Sequence, residues 1–203
     1  MDRRLNLKNI AVAGLPRWVL GLFLLLAGLG STQARVIVDG PPTDGTVKNY
    51  EAFSIRWPTG YKVRADGVQE NERVYYSVGN ESETNLVALR VDTLPITGIS
   101  SLFPDSKVYS VAEGKVLKRM RQDFPNLEPC SGQDKTIGGA LFHGSELHGS
   151  SPDGKLGVQV KLFFNKRGSR LYIITVMEVS PDPGPQLSKI STTLDTFKFP
   201  AEK

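Results

Sequence analysis

From Tyr50 onward the chain alternates between apolar and polar positions. Phe53, Ile55 and Trp57 are separated by Ser54 and Arg56, the two-residue period of a strand with one buried face, and Pro58-Thr59-Gly60 closes that strand with a turn. A short strand over Tyr61 to Arg64 is expected next. Glu72 to Val78 sets Val74, Tyr76 and Val78 against Arg73 and Ser77, and Leu86 to Leu94 places Val87, Leu89 and Val91 on one face, which predicts two more strands. The period then changes. Val116, Leu117, Met120 and Phe124 recur at helical spacing, Ser110 with Glu113 three residues later reads as a capping box, and Pro125 ends the run. A helix is therefore expected from about Val111 to Asp123, with Lys115, Lys118, Arg119 and Gln122 on its polar side. Gly114 weakens it by up to about 1 kcal/mol relative to alanine.

The last third is richest in strands. Ala140 to His148, Leu156 to Asn165 and Arg170 to Val179 are separated by Ser151-Pro152-Asp153-Gly154 and by Lys166-Arg167-Gly168, both turn sequences, and read as an antiparallel meander. Leu171 to Met177 is apolar on both alternating faces except at Thr175, the pattern of a central strand covered on two sides. Leu187, Ile190, Leu194 and Phe197 fall at spacings of three, four and three, so a closing helix from about Gln186 to Thr196 is expected to cover the second face. The fold class is α+β, an antiparallel sheet flanked by helices, and the length favours one domain over residues 50 to 200.

Ahead of this domain stand two other segments. Arg3, Arg4, Lys8 and Arg17 precede an apolar run from Trp18 to Gly30, and Thr32 and Ala34 supply small residues before Arg35. This is the pattern of an export signal over residues 1 to 34, cut between Ala34 and Arg35. The strongly apolar stretch has 13 residues, whereas a membrane-spanning helix needs about 20, so retention as an anchor is the weaker reading. No cysteine lies just after the apolar core, so no lipid tether is expected. The start DRRLNLK also resembles a twin-arginine signal, although Asn6 takes a place usually apolar there, and the general secretory route is favoured. Residues 35 to 49, with DGPPTDG at their centre, read as a flexible, exposed linker.

Removing the signal changes the charge. The chain has 25 basic and 21 acidic residues, of which the first 34 hold four and one, leaving 21 against 20. A nearly neutral domain lacks the basic stripe that nucleic acid demands, so no nucleic-acid partner is expected. Cys130 is the only cysteine, so no disulfide can form within the chain.

Candidate chemistry is sparse. His143 and His148 are the only histidines, and a spacing of five on a strand sends them to opposite faces. Glu146 and His148 can share a face, but two ligands fall short of a zinc site, so no metal and no cofactor are expected. Ser145 lies between the histidines without the strand-to-helix elbow that acyl transfer requires, and no catalytic residue is assigned. Cys130 sits in a turn-rich stretch with no identifiable partner and reads as an idle thiol. Gly132, Gly138 and Gly139 read as turns. Two contact surfaces stand out: the cationic helix face of Lys115, Lys118 and Arg119, with Arg121 at its edge, which suits an acidic partner or anionic headgroups, and the aromatic pair Trp57 and Tyr61 around the Pro58 turn.

An opening strand ending in Trp57-Pro58-Thr59-Gly60-Tyr61, a midchain helix, a meander ending in Arg170-Leu171-Tyr172-Ile173-Ile174-Thr175-Val176, and a closing helix into Asp195-Thr196-Phe197-Lys198-Phe199 resemble the PsbP-like fold, across residues 50 to 199. The resemblance implies an α/β/α sandwich. It implies a binding or assembly role outside the cytoplasm, as in PsbP and DcrB-like exported proteins. Tyr61 stands where PsbP proteins commonly have tryptophan, and no PsbP metal or photosystem-docking motif is matched, so the envelope branch fits better than a photosystem-associated protein of the thylakoid lumen. The expectation is an exported, non-catalytic binding or assembly protein in the periplasm or outside the cell, with a protein or other envelope component as partner. The rival is an extracytoplasmic hydrolase or metal-binding enzyme built on the His143 and His148 region.

Overall fold

The computed structural model describes residues 40–82 and 85–201. The export signal and its Ala34/Arg35 cleavage point lie outside the described residues. Strands β1 (Val47–Asn49) and β2 (Ser54–Arg56) form a small antiparallel pair. They are followed by β3 (Lys62–Glu70), β4 (Arg73–Ser82), β5 (Asn85–Pro95) and helix α1 (Asp105–Met120). Then come β6 (Glu128–Cys130), β7 (Lys135–Ile137), β8 (Ala140–Ser150), β9 (Gly157–Arg167), β10 (Arg170–Ser180) and helix α2 (Pro185–Ser191). Among the described residues, an eight-stranded antiparallel sheet runs β3-β4-β5-β10-β9-β8-β6, with β7 also paired to β8.

The C-terminal meander is the one the alternation predicts. Arg170 faces Arg167 across the Gly168-Ser169 turn, and Gly157 faces Ser150. β10 lies at the centre between β5 and β9, and both of its faces are buried. Leu171, Ile173, Met177 and Val179 join one apolar cluster with Val116, Met120 and Phe124 from the α1 region. Tyr172, Ile174 and Val176 join a second, with Leu187, Ile190, Leu194 and Phe197 from the closing segment. The two helices therefore pack on opposite faces of the sheet, because successive side chains on a strand point to opposite sides.

Several boundaries differ from the sequence reading. Helix α1 begins at Asp105, six residues earlier than expected, behind Pro104, and no side chain caps it. The Ser110/Glu113 capping box does not form. Ser110 lies inside the helix, and the Glu113 carboxylate instead accepts the hydroxyl of Ser145 on the sheet. The closing helix is shorter than predicted. It is α-helical only over Pro185–Ser191 and tightens to a 3-10 turn over Thr192–Thr196, with Leu187, Ile190, Leu194 and Phe197 all buried as their spacing requires.

The described part of the expected linker is not free. Gly40 donates its N–H to the Val63 carbonyl at 2.8 Å, Pro42 bridges to Lys62, and the buried Thr43 bonds the Pro58 carbonyl. Residues 47 to 49 then pair with β2, and β2 is bound in turn to Lys198 through Ser54. Polar composition suggested a solvated tether, but these segments satisfy their backbone groups on β3 and on the end of the chain.

Candidate functional site

A cleft of about 270 Å³ opens beside the closing helix, lined by Gly132, Gln133, Asp134, Lys135, Ser145, Glu146, Lys161, Phe163 and Ser191. Its floor is the β8–β9 pair, where Glu146 stands opposite Lys161. One wall is the connection from β6 to β7. That connection lies flush on β8: a Cβ on Gly144 would sit 1.9 Å from the Gln133 carbonyl oxygen, and one on Gly132 would sit 2.4 Å from the Gly144 oxygen. Only glycine allows the two backbones this approach. The close packing fixes Asp134, whose Oδ1 accepts the Gly144 N–H at 3.0 Å and contacts His143 Nδ1 at 3.1 Å.

Glu146 is the most tightly held acid of the cleft. Its Oε1 contacts His148 Nε2 at 2.7 Å and accepts the Gln159 amide. Burial works to raise its pKa, but the bonds from His148 and Gln159, with Lys161 nearby, outweigh it and hold the carboxyl below the usual range. Lys135 is engaged elsewhere, with the Ser191 carbonyl at 3.2 Å and Asp195 at 3.4 Å. The half-buried Lys161 makes no hydrogen bond or ion pair within the described residues and meets Glu146 only through space.

The histidines fall on opposite faces, as their spacing demands. Phe142, Glu146 and His148 share a parity on β8, that of the α2 side, whereas His143 stacks on Tyr109 of α1, with ring centroids 5.8 Å apart. Ser145 bonds Glu113 on the α1 side, away from His148. Ser145 and His148 therefore do not converge as nucleophile and base. Cys130, expected in a turn, lies exposed on the short strand β6 opposite Glu146. Among the described residues no group of three or more His, Cys, Asp or Glu is placed to hold a metal ion.

The two predicted contact surfaces separate into parts. Lys115 and Lys118 are exposed on α1. Arg119 turns inward: its Nε is buried without a partner, and burial, followed by the like charges of Arg90 and Arg73, pushes its pKa down to about 10. Arg121 bonds the Leu127 carbonyl at 2.8 Å and pairs with Glu128. Trp57, expected at a contact surface, is buried. It is 2% exposed and donates its indole N–H to the Tyr50 hydroxyl at 2.7 Å, inside the aromatic cluster that ties β2 to the sheet. Tyr61 is half-buried against the same cluster, and burial raises its pKa.

Two groups escaped sequence reasoning. One is the cleft set Asp134, Lys135, Gln159 and Lys161, which comes from two strands and the connection before the first of them and has no common spacing. The other is a buried ion cluster on the α1 side. Arg90 and Arg73 both reach Asp92 Oδ1 at 2.9 Å, and the Arg90 guanidinium lies 4.1 Å over the Tyr75 ring. Burial would raise the Asp92 pKa, yet the two guanidiniums hold it below the usual carboxylate range. The signal available for this cluster was the charged pair Arg90 and Asp92 interrupting an apolar strand.

No protein-family model matches the chain, and the search of curated proteins finds no match. Among solved structures the chain is similar to cyanobacterial PsbP (CyanoP) from Synechocystis sp. PCC 6803, at 15% identity and a TM-score of 0.43, over 85% of this chain and 99% of that one. It is also similar to LpqN of Mycobacterium tuberculosis, described as involved in cell envelope biogenesis, at 17% identity and a TM-score of 0.36, over 76% of this chain and 83% of that one. The first is a PsbP protein, the family that the sequence resembles.

Proposed function

We propose that this chain is an exported, non-catalytic binding protein of the cell envelope that takes its ligand in the cleft between β8, β9 and the end of α2. The observation that carries this reading is the charge arrangement of the cleft. Two acids are fixed by neighbouring donors, and one half-buried ammonium, Lys161, is left without a bonded partner. Fixed polar groups around a small concave floor give orientation and selectivity to a ligand. Against the hydrolase reading stands the separation of Ser145 and His148 onto opposite faces of β8.

The export part of the proposal rests on the sequence of residues 1 to 34. The native protein is expected to begin at Arg35 when its mass is measured, and recovery with Met1 intact in the membrane fraction would defeat it. For the cleft, native mass spectrometry of protein isolated from its own source is expected to show a retained small molecule that Lys161→Met loses. A protein carrying no bound molecule, with a hydrolytic activity abolished by His148→Ala, would replace this reading with the enzymatic one.

The exposed pair Lys115 and Lys118 offers a second surface, suited to an acidic envelope partner. Reversing both charges tests it, and unchanged partner recovery with a folded variant removes it.

A further inference from the structure

The charges that the cleft leaves unused have a definite complement. Asp134 spends Oδ1 on Gly144 and His143, and Glu146 spends Oε1 on His148 and Gln159; the second oxygen of each carboxylate takes part in none of these bonds. Lys135 is held by Ser191 and Asp195. What remains for a ligand is one ammonium, on Lys161, and two carboxylate oxygens.

We infer that the cleft binds a small zwitterionic solute, an amino acid or a short peptide, with the solute's carboxylate on Lys161 and its ammonium on the spare oxygens of Glu146 and Asp134. This inference rests on the cleft reading above and adds the class of ligand. Size supports it, because about 270 Å³ lies just below the roughly 300–1,000 Å³ that drug-sized ligands occupy. Charge supports it too. Lys135 and Lys161 balance Asp134 and Glu146 among the lining residues, so a dianion such as phosphate would set two negative charges against two carboxylates with one ammonium to spare. A carboxylate brings a single charge and gives Lys161 a charge-assisted hydrogen bond. The ligand's own ammonium then meets acceptors already fixed in place, with little ordering left to do. Phe163, buried in the floor, leaves an apolar surface for the carbon skeleton between the two ends.

The test is an NMR titration of the full-length protein with glycylglycine and alanine, run beside acetate, methylammonium and inorganic phosphate. A zwitterion is expected to give saturable shifts at Gly132, Glu146, Lys161 and Phe163, while acetate and methylammonium bind at least about ten-fold more weakly because each meets half of the site. Lys161→Met and Glu146→Gln should each weaken the zwitterion by about ten-fold or more, and Lys155→Met, on the exposed turn before β9, should not. If Lys161→Met loses its dispersed spectrum, Glu146→Gln carries the test. The inference is overturned if no zwitterion gives saturable shifts, if phosphate binds more tightly, or if both folded variants bind as the parent does. A native ligand that survives in the cleft but is not displaced by amino acids or peptides overturns this inference alone. Absence of any native ligand removes the cleft reading with it.

Discussion

The carboxylate of Glu178, buried in the central strand β10, accepts the backbone N–H of Leu187 at 3.1 Å in the first turn of α2. The same oxygen takes Gly184 N–H at 2.9 Å and Gln186 N–H at 3.1 Å, and Pro185 between them has no N–H to satisfy. A strand residue thus supplies the cap that no local side chain provides. It anchors the closing helix whose C-terminal end borders the cleft. Glu178→Ala takes the acceptor from one buried and two part-buried amide groups and should cost about 3 kcal/mol in urea denaturation. Glu178→Gln keeps one acceptor oxygen and should cost distinctly less. Equal losses from the two variants would show that the cap does not stabilise the helix.

Asp92 neutralises two guanidiniums inside the molecule. Asp92→Ala removes the carboxylate that Arg90 and Arg73 share inside the molecule, and a loss of about 3–5 kcal/mol is expected. Because the folded pKa of Asp92 is depressed, its contribution is present above the unfolded carboxylate range and disappears as pH falls through the folded value. The gap between parent and Asp92→Ala should therefore narrow in acid. A gap independent of pH down to acid unfolding would contradict the ion cluster.

Glycine replacement should act oppositely at two positions. At Gly144 an added Cβ meets backbone atoms of Gln133 and Asp134, so Gly144→Ala must push the β6–β7 connection off the sheet, at about 3 kcal/mol or more. At Gly114, inside α1, an added Cβ meets nothing within 4 Å, and Gly114→Ala should stabilise by about 0.5–1 kcal/mol. Thermal denaturation of both variants checks the pair. A neutral Gly144→Ala would mean that the cleft wall is not packed as described.

Asp123 follows the last turn of α1 with a buried Oδ2 that has no partner, and burial pushes its pKa up to about 6 against the pull of Arg119. A carboxyl whose folded pKa is raised binds its proton more tightly in the folded chain, so its favourable contribution is full below about pH 4 and is lost as pH rises through 6. The side chain is only partly buried, and solvent screening reduces the effect to about 1 kcal/mol. Asp123→Asn should therefore gain about 1 kcal/mol on the parent between pH 4 and pH 8. A stability difference that stays flat over that range would refute the shift.

The alternation of β8, β9 and β10 with Gly168 and the Ser151–Gly154 turn between them was enough to place the meander, because strand periodicity and turn chemistry are local. Parity alone put His143 and His148 on opposite faces. The start of α1 was not legible in the same way. Leu102 and Phe103, exposed just before it, interrupt the apolar stripe, and Glu113 found its partner in Ser145, 32 residues away, rather than in Ser110.

What the sequence determined by itself is therefore whatever depends on nearest neighbours along the chain: the α+β order of elements, the two-faced burial of β10, the stripe of the closing helix, and the absence of an internal disulfide. Tertiary structure decided whatever depends on register between distant segments. It buried Trp57 against Tyr50, turned Arg119 toward Arg90, placed Glu178 under α2, and set Lys161 opposite Glu146 beside a wall held by Gly132 and Gly144. A side chain's face follows from counting residues, but its partner follows from which strands lie side by side. That order comes from burying both faces of one sheet at once.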